Sequence, residues 1–206
     1  MRPITQPEVS PEADIASPAA PPRAQRADAV RNRERVLAAA REQFAEHGLD
    51  AQMDEIARAA GVGVGTVYRH FPTKDSLLEA LAQQRFDAKA QAARDALELE
   101  DPWEGFVAFM TSATRITAGD LALSEAMGQR PGLCREAAER AGLFAIVTEL
   151  VERAHASGQL RDDITPEDIP SLVSGVGHAV HAGDRGAPAM SWDRYLEIVL
   201  AGLRNR

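Results

Sequence analysis

The sequence predicts an all-α protein. Apolar residues recur at helical spacing in one segment after another, as at Met53, Ile56, Ala57 and Ala60, where they form one face of a helix. The twelve prolines and fifteen glycines fall mostly between such segments, where helices begin and end. No segment shows a convincing strand pattern. A chain of 206 residues, 45% of them hydrophobic, is long enough to bury the core of one large or two small domains.

The first elements are a tail and a helix. Residues 1–28 are predicted to be a disordered N-terminal tail, because prolines interrupt it and it carries little apolar surface to offset the cost of ordering. The first helix is predicted from Val30 to His47, and Gly48 ends it. Its apolar stripe consists of Val36, Leu37, Ala40 and Phe44.

Residues 53–74 predict two short helices that meet at a tight corner. Gly61 follows the first helix, at the position where a helix needs a residue free to adopt positive φ. A second helix is predicted from about Gly63 to His70, and Pro72 prevents its continuation. Two helices joined by a short glycine-containing turn describe a helix-turn-helix, whose second helix enters the major groove of DNA. A small helical hairpin with a solvated polar face remains the alternative.

The outward side of the second helix carries groups suited to DNA. Gly65 permits close approach of backbone to backbone, and Thr66, Tyr68 and His70 carry donors for phosphate oxygens. Arg69 is expected either to contact a base or to remain solvated. Arg23 and Arg26, just before the first helix, could reach the minor groove, although a flexible charged lead-in is the simpler explanation.

The run G-T-hydrophobic-Y-x-H-F-x-x-K, from Gly65 to Lys74, resembles the TetR family of bacterial transcriptional regulators. The resemblance in motif covers about residues 31–81. It implies a TetR-like fold, with a helix-turn-helix DNA-binding domain at residues 29–74 and a ligand-binding and dimerisation domain at residues 75–206. The DNA-contacting residues that it implies are Arg33, Val64, Gly65, Thr66, Tyr68, Arg69, His70 and Lys74.

Three positions depart from the common family pattern. Gly63 stands where a serine often caps the recognition helix, Val64 where a lysine is common, and Gln52 where a threonine or serine usually caps the preceding helix. These departures affect which residues contact the bases.

The rest of the chain is expected to add further helices. A long helix is predicted from Thr73 to about Leu99, as a rigid link between the two domains. Asp101 and Pro102 predict the next helix start. The remaining helices are predicted at about 120–127, from the Pro131–Gly132 break to Ser157, from Thr165–Pro166 onward, and after Ser191, with a loop at 183–189.

The last two helices either complete the core or, as the resemblance implies, pair with a second copy in a four-helix bundle. A symmetric dimer would let two heads contact two half-sites. The residues predicted for this interface are Leu172, Val176, Val180, Trp192, Tyr195, Leu196, Val199 and Leu203.

The resemblance also implies a small, apolar effector bound in the second domain. Aromatic and methionine side chains suit such a pocket, but each of them could equally be ordinary core. The predicted pocket residues are Trp103, Phe106, Phe109, Met110, Met127, Phe144, Val147 and His178. A helix-turn-helix regulator with a filled core, controlled by a protein partner, is the alternative.

Other classes of function have little support. No cofactor is expected, and no phosphate loop or nucleophile elbow indicates an enzyme. His178 and His181 are three residues apart, but no metal site is predicted from them. The single cysteine, Cys134, and the absence of a long apolar run favour a cytoplasmic protein without a membrane span.

The net charge of −8 divides unevenly along the chain. Residues 23–74 contain nine basic and seven acidic residues, a net charge of +2, whereas residues 75–206 contain thirteen and twenty-one, a net charge of −8. This asymmetry suits a DNA-facing head on an acidic body.

Overall fold

The computed structural model describes residues 23–119, 121–181 and 190–205. In these residues the regular elements are helices, which confirms the predicted fold class. They are α1 (Arg23–His47), a 3₁₀ turn (Gly48–Asp50), α2 (Met53–Ala60), α3 (Val64–His70), α4 (Lys74–Leu97), α5 (Pro102–Ala118), α6 (Leu121–Gly128), α7 (Pro131–Arg140), α8 (Leu143–Ala156), α9 (Asp168–His181) and α10 (Trp192–Leu203).

The corner between α2 and α3 forms as the sequence predicts. Gly61 ends α2 in the left-handed conformation, with φ +61°, and its N–H donates to the carbonyls of Ala57 and Arg58. Helix α3 stops at His70, before Pro72. Thr73 then caps α4 in a capping box, in which its hydroxyl accepts from the N–H of Ser76 at 3.0 Å. Local hydrogen bonds therefore stabilise both the corner between α2 and α3 and the start of α4.

Three helix boundaries differ from prediction. Helix α1 begins at Arg23 rather than Val30, because alanine, arginine and glutamine between these positions favour helix. The helix predicted to run to Ser157 is divided into α7 and α8 at Gly142, whose φ is +65°. Helix α9 begins at Asp168 rather than at Thr165–Pro166, because the Asp168 carboxylate accepts from the N–H of Thr165 at 2.8 Å and turns that segment.

Two hydrophobic clusters hold the described residues together. The head core joins α1, α2, α3 and the first part of α4 to α6 and α7, and it includes Phe44, Ile56, Leu77, Leu123 and Met127. The body core joins the second part of α4 to α5, α8, α9 and α10. The head core extends across the predicted domain boundary at residue 74, so helix α4 belongs to both clusters. The disordered tail was predicted over residues 1–28, and this was wrong for residues 23–28, which form the start of α1. Residues 1–22 and the predicted loop at 183–189 lie outside the described residues.

Candidate DNA interface and effector cavity

The recognition helix α3 has one anchored side and one open side. Val67 is fully buried and Phe71 is almost so, and both belong to the head core. On the opposite side Val64 and Tyr68 are 41% and 46% exposed. A Cβ atom placed on Gly65 would meet nothing within 4 Å, so the start of the helix is flat and accessible. This face can approach a DNA groove closely.

The other side chains of α3 that were predicted to contact DNA differ in their exposure. Arg69 is exposed, whereas Thr66 is half-buried. His70 is also half-buried, and its Nε2 atom is buried without a hydrogen-bond partner among the described residues. That nitrogen therefore does not face solvent in this conformation, although it was predicted to meet a phosphate.

Helix α1 supports α3 through two arginines. The Arg33 guanidinium lies 5.3 Å from the centroid of the Phe71 ring, which places this exposed arginine beside the end of α3. Arg35 donates from Nη2 to the carbonyl oxygen of Gly61 at 3.0 Å. Arg35 thus binds the corner between α2 and α3 to α1, a structural role that sequence reasoning did not anticipate.

Lys74 also has a structural contact. Its ammonium donates to the carbonyl oxygen of Leu49 at 2.8 Å, which connects the start of α4 to the turn after α1. An ammonium has three N–H donors, so this bond leaves capacity for a further acceptor. Among the predicted DNA residues, Lys74 is therefore hydrogen-bonded within the head and one ring nitrogen of His70 is buried there, whereas Val64, Tyr68 and Arg69 are exposed on α3.

The body contains a cavity of about 850 Å³ between the two cores. Its walls come from α4 to α9 and are mostly apolar. Four of the predicted pocket residues line it, namely Phe109, Met127, Phe144 and Val147. Pockets for small organic ligands have volumes of roughly 300–1,000 Å³, so this cavity has room for one.

Three predicted pocket residues do not line the cavity. Phe106 and Met110 are fully buried in the body core, and Trp103 stacks on Phe106 with ring centroids 5.7 Å apart. They lie on the side of α5 that packs against its neighbours, so the prediction was wrong for these three side chains. The side chain of His178 lies outside the described residues, as does that of His181.

Two buried cations at the cavity, Arg85 and Lys89, were not predicted. Both line it from α4 and are only 7% and 8% exposed. Arg85 donates to the Ser124 hydroxyl at 2.8 Å and to the sulfur of Met127 at 3.6 Å. The spacing Leu81, Arg85, Lys89 and Ala93 places both cations on the apolar stripe of α4, which was the signal available in the sequence.

Burial alters the acid–base chemistry of this wall. Desolvation, together with repulsion from Arg85, lowers the pKa of Lys89 from 10.5 to about 7. Burial raises the pKa of the Cys134 thiol, against a smaller opposite effect of the two cations. Burial thus disfavours the Cys134 thiolate, which is the nucleophilic form.

The remaining charged groups at the cavity are exposed. Glu125, Arg135 and Glu139 line its outer part, and Arg135 lies 3.9 Å from the Glu139 carboxylate. The charged groups at the cavity thus form two sets. Glu125, Arg135 and Glu139 are exposed at its outer part, whereas Arg85 and Lys89 are buried.

Helices α9 and α10 combine internal packing with an exposed face. The predicted interface residues Leu196 and Leu203 are each 5% exposed and pack inside the body core. The half-buried residues Leu172, Trp192 and Val199 pack against the same core. The Tyr195 hydroxyl, itself half-buried, donates to the carbonyl of Leu172 at 3.1 Å. The side chains of Val176 and Val180 lie outside the described residues.

Comparison with known proteins assigns the fold to a family. The description "Bacterial regulatory proteins, tetR family" matches residues 36–81, and "Transcriptional regulator SbtR-like, C-terminal domain" matches residues 101–205. The second match alone spans half of the chain. The chain belongs to the TetR family.

Individual relatives agree with this TetR assignment. The HTH-type transcriptional repressor Rv1474c of Mycobacterium tuberculosis is 31% identical over 148 residues, covering 66% of this chain and 73% of the relative. The HTH-type transcriptional regulator UidR of Escherichia coli (strain K12) is 31% identical over 155 residues, covering 71% and 76%. The crystal structure of a TetR regulatory protein from Mycobacterium vanbaalenii is 37% identical, covers 88% of this chain and 99% of its own, and has a TM-score of 0.62.

Membership of the TetR family makes this protein a DNA-binding transcriptional regulator with a helix-turn-helix, and it is not an enzyme. The prediction of the family from the run between Gly65 and Lys74 is confirmed. No helix within the described residues has the length and apolar character that a membrane span requires.

Proposed function

We propose that this TetR-family protein is a homodimeric repressor that a small molecule releases from its DNA operator in the cytoplasm. The cavity of about 850 Å³ is the observation that carries the proposal, because its wall is shared with the head core. Control of a filled body by a protein partner has no comparable support, since the body is not filled.

The proposed DNA contacts are on the open face of α3. Val64 and Gly65 are nearest the bases, while Thr66 and Tyr68 donate to phosphates. Arg33 and Arg69 supply positive charge beside this face. Lys74 and His70 contribute less than the resemblance alone implies, since the Lys74 ammonium already donates to Leu49 and Nε2 of His70 is buried.

The cavity is connected to the head through α4 and α6. Met127 lines the cavity and also belongs to the head core. Helix α6 packs against α1 and the 3₁₀ turn, and Arg130, which follows α6, forms an ion pair with Asp75 in the first turn of α4. A ligand that displaces α6 or α4 therefore also displaces the head core on which the recognition helix α3 packs. It shifts the equilibrium only by its difference in affinity for the two conformations.

The proposed dimer uses the outer face of α9 and α10. Ile198 is 48% exposed on this face, and Ala201 and Gly202 beside it are small and exposed. Leu196 and Leu203 support the helix from behind. A two-fold dimer places two α3 helices where they contact successive major grooves, about 34 Å or a multiple apart.

Fluorescence anisotropy on DNA from upstream of the protein's own gene, with scrambled DNA as reference, tests the proposal across a salt series. Tight binding to the upstream DNA alone, with affinity falling steeply as salt rises, supports operator recognition through phosphates. Equal binding to both DNAs, in the presence and absence of candidate effectors, contradicts it. Size-exclusion chromatography with light scattering tests the dimer, for which a monomer at micromolar concentration is the contrary result.

Tyr68 provides the sharpest test of the interface. Tyr68→Ala is expected to weaken operator binding by about tenfold, because a hydrogen bond to a charged phosphate is lost. Tyr68→Phe is the matched control and should lose nearly as much if the hydroxyl makes the contact. Unchanged operator affinity in Tyr68→Ala would remove this residue from the interface.

Arg69 has two proposed roles that salt dependence separates. If it contacts a phosphate, Arg69→Ala should lower the slope of log affinity against log salt by about 1. If it contacts a base, the slope holds and discrimination between operator and scrambled DNA falls. Arg94→Ala, at an exposed arginine far along α4, is the matched control and should change neither quantity.

A further inference from the structure

We propose that the effector of this protein is an organic anion with a hydrocarbon body, whose carboxylate is bound by Arg85 and Lys89. This inference rests on the proposed function, because it takes the cavity to be the effector site. It specifies the chemical class of the ligand, which family membership leaves open, and it adds an anionic group to the small apolar effector expected from the sequence.

The arrangement of the two cations carries the argument. Arg85 and Lys89 are four residues apart on α4, so their side chains share one face of the helix. Both line the cavity and both are more than nine-tenths buried. Arg85 is oriented by its hydrogen bonds to Ser124 and Met127 on α6. A guanidinium and an ammonium that converge on one space form a suitable site for a carboxylate.

Among the described residues, Lys89 has an aromatic neighbour but no carboxylate in an ion pair with it. No carboxylate in the described part of the chain forms an ion pair with its ammonium, which instead lies 5.4 Å from the centroid of the Phe86 ring. The acidic residues at the cavity, Glu125 and Glu139, are exposed. Burying a cation among apolar groups costs free energy that an anionic ligand would offset. The lowered pKa of Lys89 is a consequence of the same burial.

The remainder of the cavity determines the body of the ligand. An inorganic anion would occupy only a small part of about 850 Å³. Opposite the cations the walls are hydrocarbon and aromatic, including Phe109, Val147, Ile169 and Val173. A ligand complementary to this shape has one charged end and a large apolar end.

The same contacts explain how an anion would act. A carboxylate at Arg85 competes with the hydrogen bonds that hold Arg85 to Ser124 and Met127. Met127 is packed in the head core, so a change in its position is transmitted to the residues beneath α3. Arg85 would thus couple charge recognition, which it shares with Lys89, to release of DNA.

Isothermal titration calorimetry on the full chain, without DNA, tests the ligand class directly. The probes are decanoate and naphthoate, each paired with its neutral amide of nearly equal shape, and inorganic phosphate alone. At least one of the two acids should bind about tenfold or more tightly than its own amide, and phosphate should bind weakly. Equal affinity of acid and amide, tighter binding of the amide, or binding of no acid overturns the proposal.

The variant Lys89→Met tests whether the cavity cations cause that preference. It should reduce the preference for acid over amide severalfold, because Arg85 alone then binds the carboxylate, while leaving amide binding intact, and intact amide binding shows that the cavity still folds. Arg135→Gln, which removes an exposed cation at the outer part of the cavity, should preserve the preference. A preference that is unchanged in Lys89→Met, or that falls equally in Arg135→Gln, contradicts the assignment.

The anisotropy assay separates this inference from the proposed function. If an acid binds but leaves the operator complex unchanged, the ligand class stands and the sensor role fails. If the neutral amides release the operator as well as the acids do, the sensor role stands and the charge requirement fails.

Discussion

The head core and the body core are built from similar residues but are closed to different degrees. In the head, Phe44 and Ile56 are fully buried, and the side chains proposed to contact DNA lie on the outer surface of α3. In the body, the same long helix α4 that completes the head core turns Arg85 and Lys89 toward an open cavity. Surface recognition requires a rigid support, whereas internal recognition requires space. Helix α4 therefore belongs to a closely packed core in the head and to the wall of a cavity in the body.

A matched pair of substitutions measures this difference in closure. Phe44→Ala in the head core should destabilise the protein by about 3–5 kcal/mol, because it leaves a void in a fully packed region. Phe109→Ala should cost roughly half as much, since one side of that ring already faces the cavity and has fewer contacts to lose. Urea unfolding followed by circular dichroism measures both. Equal losses would show that the cavity wall is as closely packed as the head.

The charge in the body provides the next test of the comparison. Lys89→Met should stabilise the protein by a few kcal/mol near pH 6, because it removes a buried ammonium. Since the folded pKa of about 7 lies below the unfolded value of 10.5, the unfolded state binds more protons between these values. The contribution of Lys89 to stability therefore rises with pH from about 7 to 10.5, and is lowest below 7.

Parallel urea titrations from pH 6 to about 9.5 follow this rise in wild type and in Lys89→Met. Arg85 and Cys134 also face this space, but Arg85 keeps its charge throughout the range and Cys134 is present in both proteins. The difference between the two proteins therefore reports the titration of Lys89 together with its smaller coupling to the Cys134 thiol. A stability difference that does not change with pH would show that the ammonium is solvated.

The sequence predicted the head better than the body for a physical reason. The corner at Gly61, the break at Pro72 and the cap at Thr73 depend on residues within a few positions of one another, and all three are present in the structure. The cavity depends on contacts among helices far apart in the chain. Spacing could identify Phe109 and Val147 as apolar, but it could not separate them from Phe106 and Met110, which face the neighbouring helices.

Two findings could be predicted from the sequence only in part. Arg85 and Lys89 interrupt an apolar stripe, which is visible in the sequence, but their burial depends on how α5 to α9 surround them. Arg35 belongs to a run of arginines that suggests DNA contact, yet it binds the carbonyl of Gly61. A charged residue at an apolar-stripe position and a charged residue in a basic run thus both need the tertiary contacts before a role can be assigned.

The smallest expected effect concerns the cap of the recognition helix. Gly63 precedes α3 with φ −67° and ψ 143°, a conformation that any residue adopts, and it provides no side-chain cap. A Cβ atom there would approach nothing closer than the Thr66 hydroxyl at 4.0 Å. Gly63→Ser should therefore stabilise the head by about 0.5–1 kcal/mol, through a cap hydrogen bond and a less flexible unfolded chain.

Gly63→Ala separates these two contributions, because alanine restricts the unfolded chain but cannot cap the helix. Serine should exceed alanine in chemical denaturation by about 1 kcal/mol. If alanine stabilises as much as serine, the first turn of α3 does not need a cap. The contrast with α4, where Thr73 and Ser76 form a capping box, would then reflect function. Without a capping side chain, Gly63 places no side-chain atoms between the start of α3 and the bases in the proposed complex. Tighter operator binding by Gly63→Ser would contradict that explanation.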